Sequence, residues 1–178
     1  DPDPRIDVAR AMYRIRFGGE LPAHMRDIDS LRGVEGARVK QVYQRLAEQY
    51  GIEWHGRSYD RTDPEATNPV NQAINHAATA VYAAARIAVA VTGTIPQLGF
   101  IHESSGHAFA LDIADLYRSN TALPIAFRAA KRYTQRGGDI EGLTRRMAGR
   151  TLRTKKVIPQ MIDHIKEVLH GDDDRSDA

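Results

Sequence analysis

Asn68-Pro-Val-Asn-Gln-Ala-Ile-Asn-His-Ala-Ala-Thr-Ala-Val-Tyr-Ala-Ala-Ala-Arg-Ile-Ala-Val-Ala-Val-Thr-Gly93 is the stretch on which the fold turns. Asparagine followed by proline is a strong helix start: the Asn side chain can cap a free N–H, and proline fits the first helical position. The run to Thr92-Gly93 gives about 24 residues, or roughly 36 Å of helix at 1.5 Å per residue. Its second half, Ala77 to Val91, is almost wholly small and apolar. A membrane span is the obvious rival. Asn71, Gln72, Asn75, His76 and Arg86 interrupt the apolar run that a span needs, so the stretch reads as a central buried helix whose alanines allow close neighbours.

The chain on either side is helical in pattern too. Upstream, Ile6, Val8, Ala9, Met12, Tyr13 and Ile15 predict a helix over residues 5–17, stopped by Gly18-Gly19. Ser30 reads as the cap of a second helix, with Leu31, Val34, Val39, Val42, Tyr43 and Leu46 at roughly helical spacing and Gly51 as its left-handed terminator. Residues 52–67 are polar and turn-rich and read as loop. Downstream, residues 94–107 form a connector with an apolar centre, Leu98-Gly-Phe-Ile101. Helices are expected at about 108–118, 121–135, 138–152 and 155–169. No segment alternates with a period of two, so the expected class is all-α: one helical domain over 1–170, built around the helix at about 68–92. An acidic tail, 171–178, is expected to be disordered.

Composition narrows the chemistry. The 178 residues are 42% hydrophobic and 27% charged, enough for a core without staples. There is no cysteine, which excludes a thiol nucleophile and a thiolate zinc site and is compatible with a reducing cytoplasm. The start, Asp1-Pro-Asp-Pro4, has neither the basic nor the apolar part of a signal peptide. Net charge is only +2, but Arg145, Arg146, Arg150, Arg153, Lys155 and Lys156 cluster against one acid, Glu141. That suits a polyanion such as DNA; the bland alternative is a solvated helix face.

Asp112 and Asp115 lie three apart in Phe109-Ala-Leu-Asp-Ile-Ala-Asp-Leu-Tyr117, on one face of a helix whose other residues are apolar. Buried carboxylates are costly unless paired or bound to metal, and two side by side repel. Arginine partners or a cap are the structural alternative. His102, ten residues earlier, and Glu35, in the first turns of its helix, each have an ordinary reading as well: a satisfied loop histidine, and an acid that favours the helix dipole. His107, Glu103, His76, Tyr82 and Tyr59 are further candidates for a site. No phosphate-binding glycine loop, His-Glu-x-x-His or His-Asp pair occurs, which removes P-loop enzymes, zincins and histidine–aspartate phosphohydrolases.

Several stretches together resemble a known family. They are Met12-Tyr-Arg-Ile-Arg-Phe-Gly18, Leu31-Arg-Gly-Val-Glu-Gly-Ala-Arg38, Tyr59-Asp60, Asn71-Gln72 continuing to Tyr82, Gly99-Phe-Ile-His102, and Phe109 through Asp112-Ile-Ala-Asp115. In this order they resemble the first-numbered CRISPR-associated protein, Cas-one, the integrase/endonuclease that inserts new spacers, and its type I-E members in particular. The resemblance implies that Glu35, His102 and Asp115 hold Mn²⁺ or Mg²⁺, with Asp112 an alternate or supporting ligand. These four residues are then expected to meet around one divalent cation.

The resemblance further implies Tyr82 as a DNA contact, a homodimer, and assembly with the small Cas-two partner on spacer-precursor DNA and the CRISPR array. No membrane is implied. Two departures stand out. The family's β-rich N-terminal domain has no counterpart before Asp1, and the loop after the histidine reads Glu103-Ser-Ser-Gly106, where type I-E relatives can carry a lysine. The competing readings are a non-catalytic helical DNA-binding or assembly module and a metal phosphoesterase acting on RNA or nucleotides.

Overall fold

The computed structural model describes residues 4–19, 21, 27–57 and 68–170. Among these described residues seven α-helices follow in order: α1 (Pro4–Phe17), α2 (Ile28–Tyr50), α3 (Pro69–Val91), α4 (Ala108–Leu116), α5 (Leu123–Arg136), α6 (Ile140–Thr154) and α7 (Val157–His170). Among the described residues there is no strand, so the class is all-α, as the periodicity predicts. Tyr59 and the acidic tail 171–178 lie outside the described residues.

α3 is the axis of the bundle. Asn68 caps it, its side chain accepting from the Asn71 N–H at 2.9 Å, and Pro69 opens the first turn. Its buried face (Ala73, Ala77, Val81, Ala84, Ala85 and Ala88 among others) packs on α4, α5, α6 and α7. Alanines at these positions let four neighbours approach one helix. By length and composition alone α3 could cross a bilayer, so the polar residues near its start do not exclude a span as the sequence suggested. The packing of its apolar face against four helices is what gives it a core role. Ile87, Val91, Ile95 and Leu98, at its C-terminal end and beyond, remain exposed.

Four boundaries differ from expectation for physical reasons. α2 is capped by Asp27 rather than Ser30: Asp27 is extended, and its carboxylate accepts from both the Ser30 N–H and hydroxyl at 2.7 Å. Ser30 is thus inside the helix, three residues past its cap. The expected break between α4 and α5 is bridged by a single π turn, Arg118–Ala122, with the Ala122 N–H reaching back five residues to the Tyr117 carbonyl at 3.0 Å. α6 starts behind the Asp139 cap, and Lys156, at φ 51°, turns the chain into α7; both helices begin about two residues later than predicted.

α1 positions the site. It packs on both α2 and α4, and so brings the helix that carries Glu35 toward the helix that carries the two aspartates. Met12, Tyr13 and Arg16 are its buried face in this region; Arg14 is exposed.

Candidate active site

The connector doubles back onto α4 because Gly99 permits it. A Cβ at this position would collide with the His102 carbonyl oxygen and the Ala108 methyl. With only hydrogen there, residues 100–102 wrap over Asp112. Its carboxylate is fully buried and accepts four hydrogen bonds: Phe100 N–H at 2.7 Å, Ile101 N–H at 3.1 Å, His102 N–H at 3.0 Å and His102 Nδ1 at 2.7 Å. With three backbone N–H groups already donating to it, the Asp112 carboxylate takes the acceptor role toward Nδ1, which carries a proton and leaves Nε2 as the nitrogen on the Asp115 side. Arg32 Nη2 donates to the Ile101 carbonyl at 2.7 Å and Arg5 Nε to the Phe100 carbonyl at 2.9 Å, fixing the loop from the other side. Arg5 also pairs with Glu103. Asp112 on Nδ1 pushes the His102 imidazole above the usual histidine range, against the opposing effect of burial.

His102 Nε2 faces Asp115 Oδ2 across 3.9 Å. Asp115 is three-quarters buried, at 23% side-chain exposure, and burial pushes its carboxyl above the usual carboxylate range, while Arg16 and Arg118 pull it down. Arg118 Nη1 lies 3.8 Å from Asp115 Oδ1, and its Nη2 reaches the Tyr43 hydroxyl at 3.5 Å.

Glu35 enters from α2. Its Oε2 accepts from the Tyr13 hydroxyl at 2.8 Å, and its Oε1 meets Arg16 Nη1 at 2.8 Å. The same Arg16 nitrogen is 3.7 Å from Asp115 Oδ2. Burial, reinforced by the Glu35 contact, pushes the Tyr13 phenol upward. Arg16 is only 2% exposed at the side chain, and its Nε and Nη2 find no acceptor. Its guanidinium carbon lies 5.0 Å from the centre of the Phe17 ring.

Glu35, His102, Asp112 and Asp115 therefore gather at one end of α1, but not as four converging ligands. Among the described residues, no three Asp, Glu or His side chains close on one point as they stand. Two reasons are visible: Asp112 is used up by the loop, and a guanidinium stands between Glu35 and Asp115. Arg16 and Tyr13 are the site residues that sequence reasoning missed. α1 carries four arginines, Arg5, Arg10, Arg14 and Arg16, and nothing in the sequence sets Arg16 apart from the others.

The other candidates lie apart from this cluster or at its edge. Tyr82 is half-buried on α3 against the core. Arg145 pairs with Glu141 at 2.8 Å. Arg146 and Arg153 are exposed on α6, and Arg150 lines an open cleft of about 490 Å³ between α5 and α6 with Arg128, Arg132 and Lys155. His107 sits at the start of α4, its N–H donating to the Ser105 hydroxyl at 3.1 Å.

The family model for CRISPR associated protein Cas1 matches residues 4–161. The chain belongs to the Cas1 family. It is 37% identical over 169 residues to the CRISPR-associated endonuclease Cas1 of Escherichia coli, an alignment covering 95% of this chain and 54% of that protein. It is 35% identical to the Geobacter sulfurreducens Cas1 endonuclease, over the same shares of each. Among solved structures, a TtCas1–DNA complex superposes with a TM-score of 0.85 at 33% identity, covering 96% of this chain and 62% of that one. The chain thus spans about half the length of the curated Cas1 relatives it matches, and the all-helical architecture is that of the matched part.

Proposed function

We propose that this chain is the catalytic domain of a divalent-metal-dependent DNA endonuclease/integrase of CRISPR adaptation, which joins spacer DNA to the array by attack of a 3′-hydroxyl on a phosphodiester. The observation that carries this reading is the presentation of His102 Nε2 toward Asp115, with Nδ1 locked by a buried Asp112. Imidazoles that ligate metals are oriented in this way, the carboxylate on the far nitrogen fixing tautomer and ring angle. The relatives' names, Cas1 endonuclease and a Cas1–DNA complex, point to the same chemistry.

The donor set fits a divalent ion: two carboxylates and one imidazole, with two further arginines nearby. Glu35, His102 and Asp115 would hold it. Mixed oxygen and nitrogen ligation suits Mn²⁺ somewhat better than Mg²⁺. When bound, such an ion supplies Lewis-acid stabilisation of the charge on the leaving oxygen and acidifies the attacking hydroxyl or water. Asp112 acts through His102 and holds its proton on Nδ1. Arg118, 38% exposed at the side chain beside Asp115, can take a phosphate oxygen of the scissile strand. The exposed arginines of α6 (Arg145, Arg146, Arg150 and Arg153), with Tyr82 on α3, would hold DNA without reading sequence. A homodimer and the small Cas2 partner belong to the same proposal.

A substrate panel tests it: branched DNA, linear duplex, RNA and nucleotides, each with Mn²⁺, Mg²⁺ or chelator. Metal-dependent cleavage and strand joining on branched DNA is expected. Hydrolysis confined to RNA or nucleotides would favour another phosphoesterase, and inertness with tight DNA binding would favour an assembly module.

A further inference from the structure

Arg16 is an odd structural residue. It is buried on α1, yet of its three guanidinium nitrogens only Nη1 has partners, Glu35 at 2.8 Å and Asp115 at 3.7 Å, while Nε and Nη2 are buried without an acceptor. Each unmet donor costs free energy that one hydrogen bond does not recover. A buried ion pair kept for stability is normally satisfied on all sides. What Arg16 does supply is positive charge at the point shared by two partly buried carboxylates, which would otherwise repel.

We propose that Arg16 is the resident counter-ion of the site: it neutralises Glu35 and Asp115 while the divalent ion is away, and it must leave Asp115 before the ion is held. This rests on the metal reading given above. The geometry sets the direction of the effect. Arg16 reaches Asp115 only at 3.7 Å, so that contact is the weaker of its two. Glu35 keeps a second anchor, the Tyr13 hydroxyl at 2.8 Å, so losing the guanidinium does not set it adrift. Removing a fixed cation from the first few ångströms around a dication outweighs the loss of one hydrogen bond to Glu35. Arg16 is thus a positioning residue that also sets the threshold for metal entry.

The test is Mn²⁺ binding to the 178-residue chain, followed by the electron paramagnetic resonance signal of free Mn²⁺ and by melting temperature. Arg16→Met is expected to lower the metal-free melting temperature, to bind Mn²⁺ at least tenfold more tightly than wild type, and to gain more degrees on saturation. Arg16→Lys, which keeps the charge, is expected to stay within about threefold of wild-type affinity. Equal or weaker Mn²⁺ binding by Arg16→Met overturns the proposal, as does a Lys variant that gains as much as the Met variant. Should Arg16→Met be unfolded without metal, recovery of its circular dichroism on adding Mn²⁺ supports the proposal, and failure to fold at any Mn²⁺ concentration overturns it. If neither wild type nor Arg16→Met binds Mn²⁺, the metal reading itself fails; if both bind alike, only the role of Arg16 does.

Discussion

The two halves of the site are built on opposite plans. Around Asp112, the contacts are short and numerous: four donors on one carboxylate, and arginines on the two carbonyls behind it. Around Glu35 and Asp115, satisfaction is partial: Glu35 has two partners at 2.8 Å, but Asp115 has only contacts of 3.7 to 3.9 Å, and the guanidinium they share leaves two orphaned nitrogens. A fully met buried network specifies one geometry, whereas a partly met one leaves free energy for something else to collect. The difference teaches which half is framework and which half is receptive. The first holds an imidazole still; the second is the half that the proposed ion would rearrange.

Substitutions in the receptive half should produce the largest loss of chemistry with the least structural damage. His102→Ala and Asp115→Ala are expected to drop Mn²⁺-dependent cleavage and strand joining to background while leaving circular dichroism unchanged. Full activity in either variant, measured on branched DNA, would place the chemistry elsewhere.

Changes to the framework should do the reverse and cost both stability and geometry. Gly99→Ala must push the loop off Asp112, and a shift of about 1 Å in His102 is expected to cost on the order of 100-fold in rate. Asp112→Asn keeps the shape but loses an acceptor, so Mn²⁺ affinity should fall about 10–100-fold and stability by about 1–3 kcal/mol. Both are checked by Mn²⁺ titration and chemical denaturation. An Asp112→Asn protein that binds and melts like wild type would erase the contrast between the halves.

Neither half should govern DNA affinity. Reversing Arg145 and Arg146 to Glu is expected to weaken DNA binding and to reduce the slope of log affinity against log salt by about two. Asp115→Ala should leave that slope alone. An unchanged slope in the double variant would make α6 a merely solvated face.

The smallest effect concerns the cap beneath Glu35. The Ser30 hydroxyl and N–H hold the Asp27 carboxyl below its usual range, so the stability it contributes is present above the ordinary carboxylate pKa and is lost as pH falls through the lowered folded value. Asp27→Asn keeps the cap and removes that titration. The acid limb of its melting-temperature profile should be slightly flatter than wild type; an identical profile would mean that this cap does not couple to folding.

Much of this was legible in the sequence because helices announce themselves locally. The 3.6-residue period, the Asn68-Pro69 start and the Gly51 stop each act within one or two turns, and the structure holds helices where they indicate. Asp112 and Asp115 also stood out, as acids in an otherwise apolar helix. A division of labour between them came only with the family resemblance, not from the residues themselves. The three-residue spacing places both on one side of α4, but only the fold of residues 99–102 decides which carboxylate is consumed by backbone donors. Arg16 was invisible for a similar reason: Arg14 and Arg16 differ only in what α1 packs against. Long-range juxtaposition, rather than residue type, carries that information.

The most direct test is a crystal of the 178-residue chain soaked in Mn²⁺, with anomalous scattering recorded at the manganese edge. One strong peak is expected, bonded to a Glu35 oxygen, His102 Nε2 and an Asp115 oxygen, with Asp112 still on Nδ1 and the Arg16 guanidinium displaced from Asp115. A peak elsewhere, or none at saturating Mn²⁺ with Arg16 unmoved, would contradict the assignment of these residues as a metal centre.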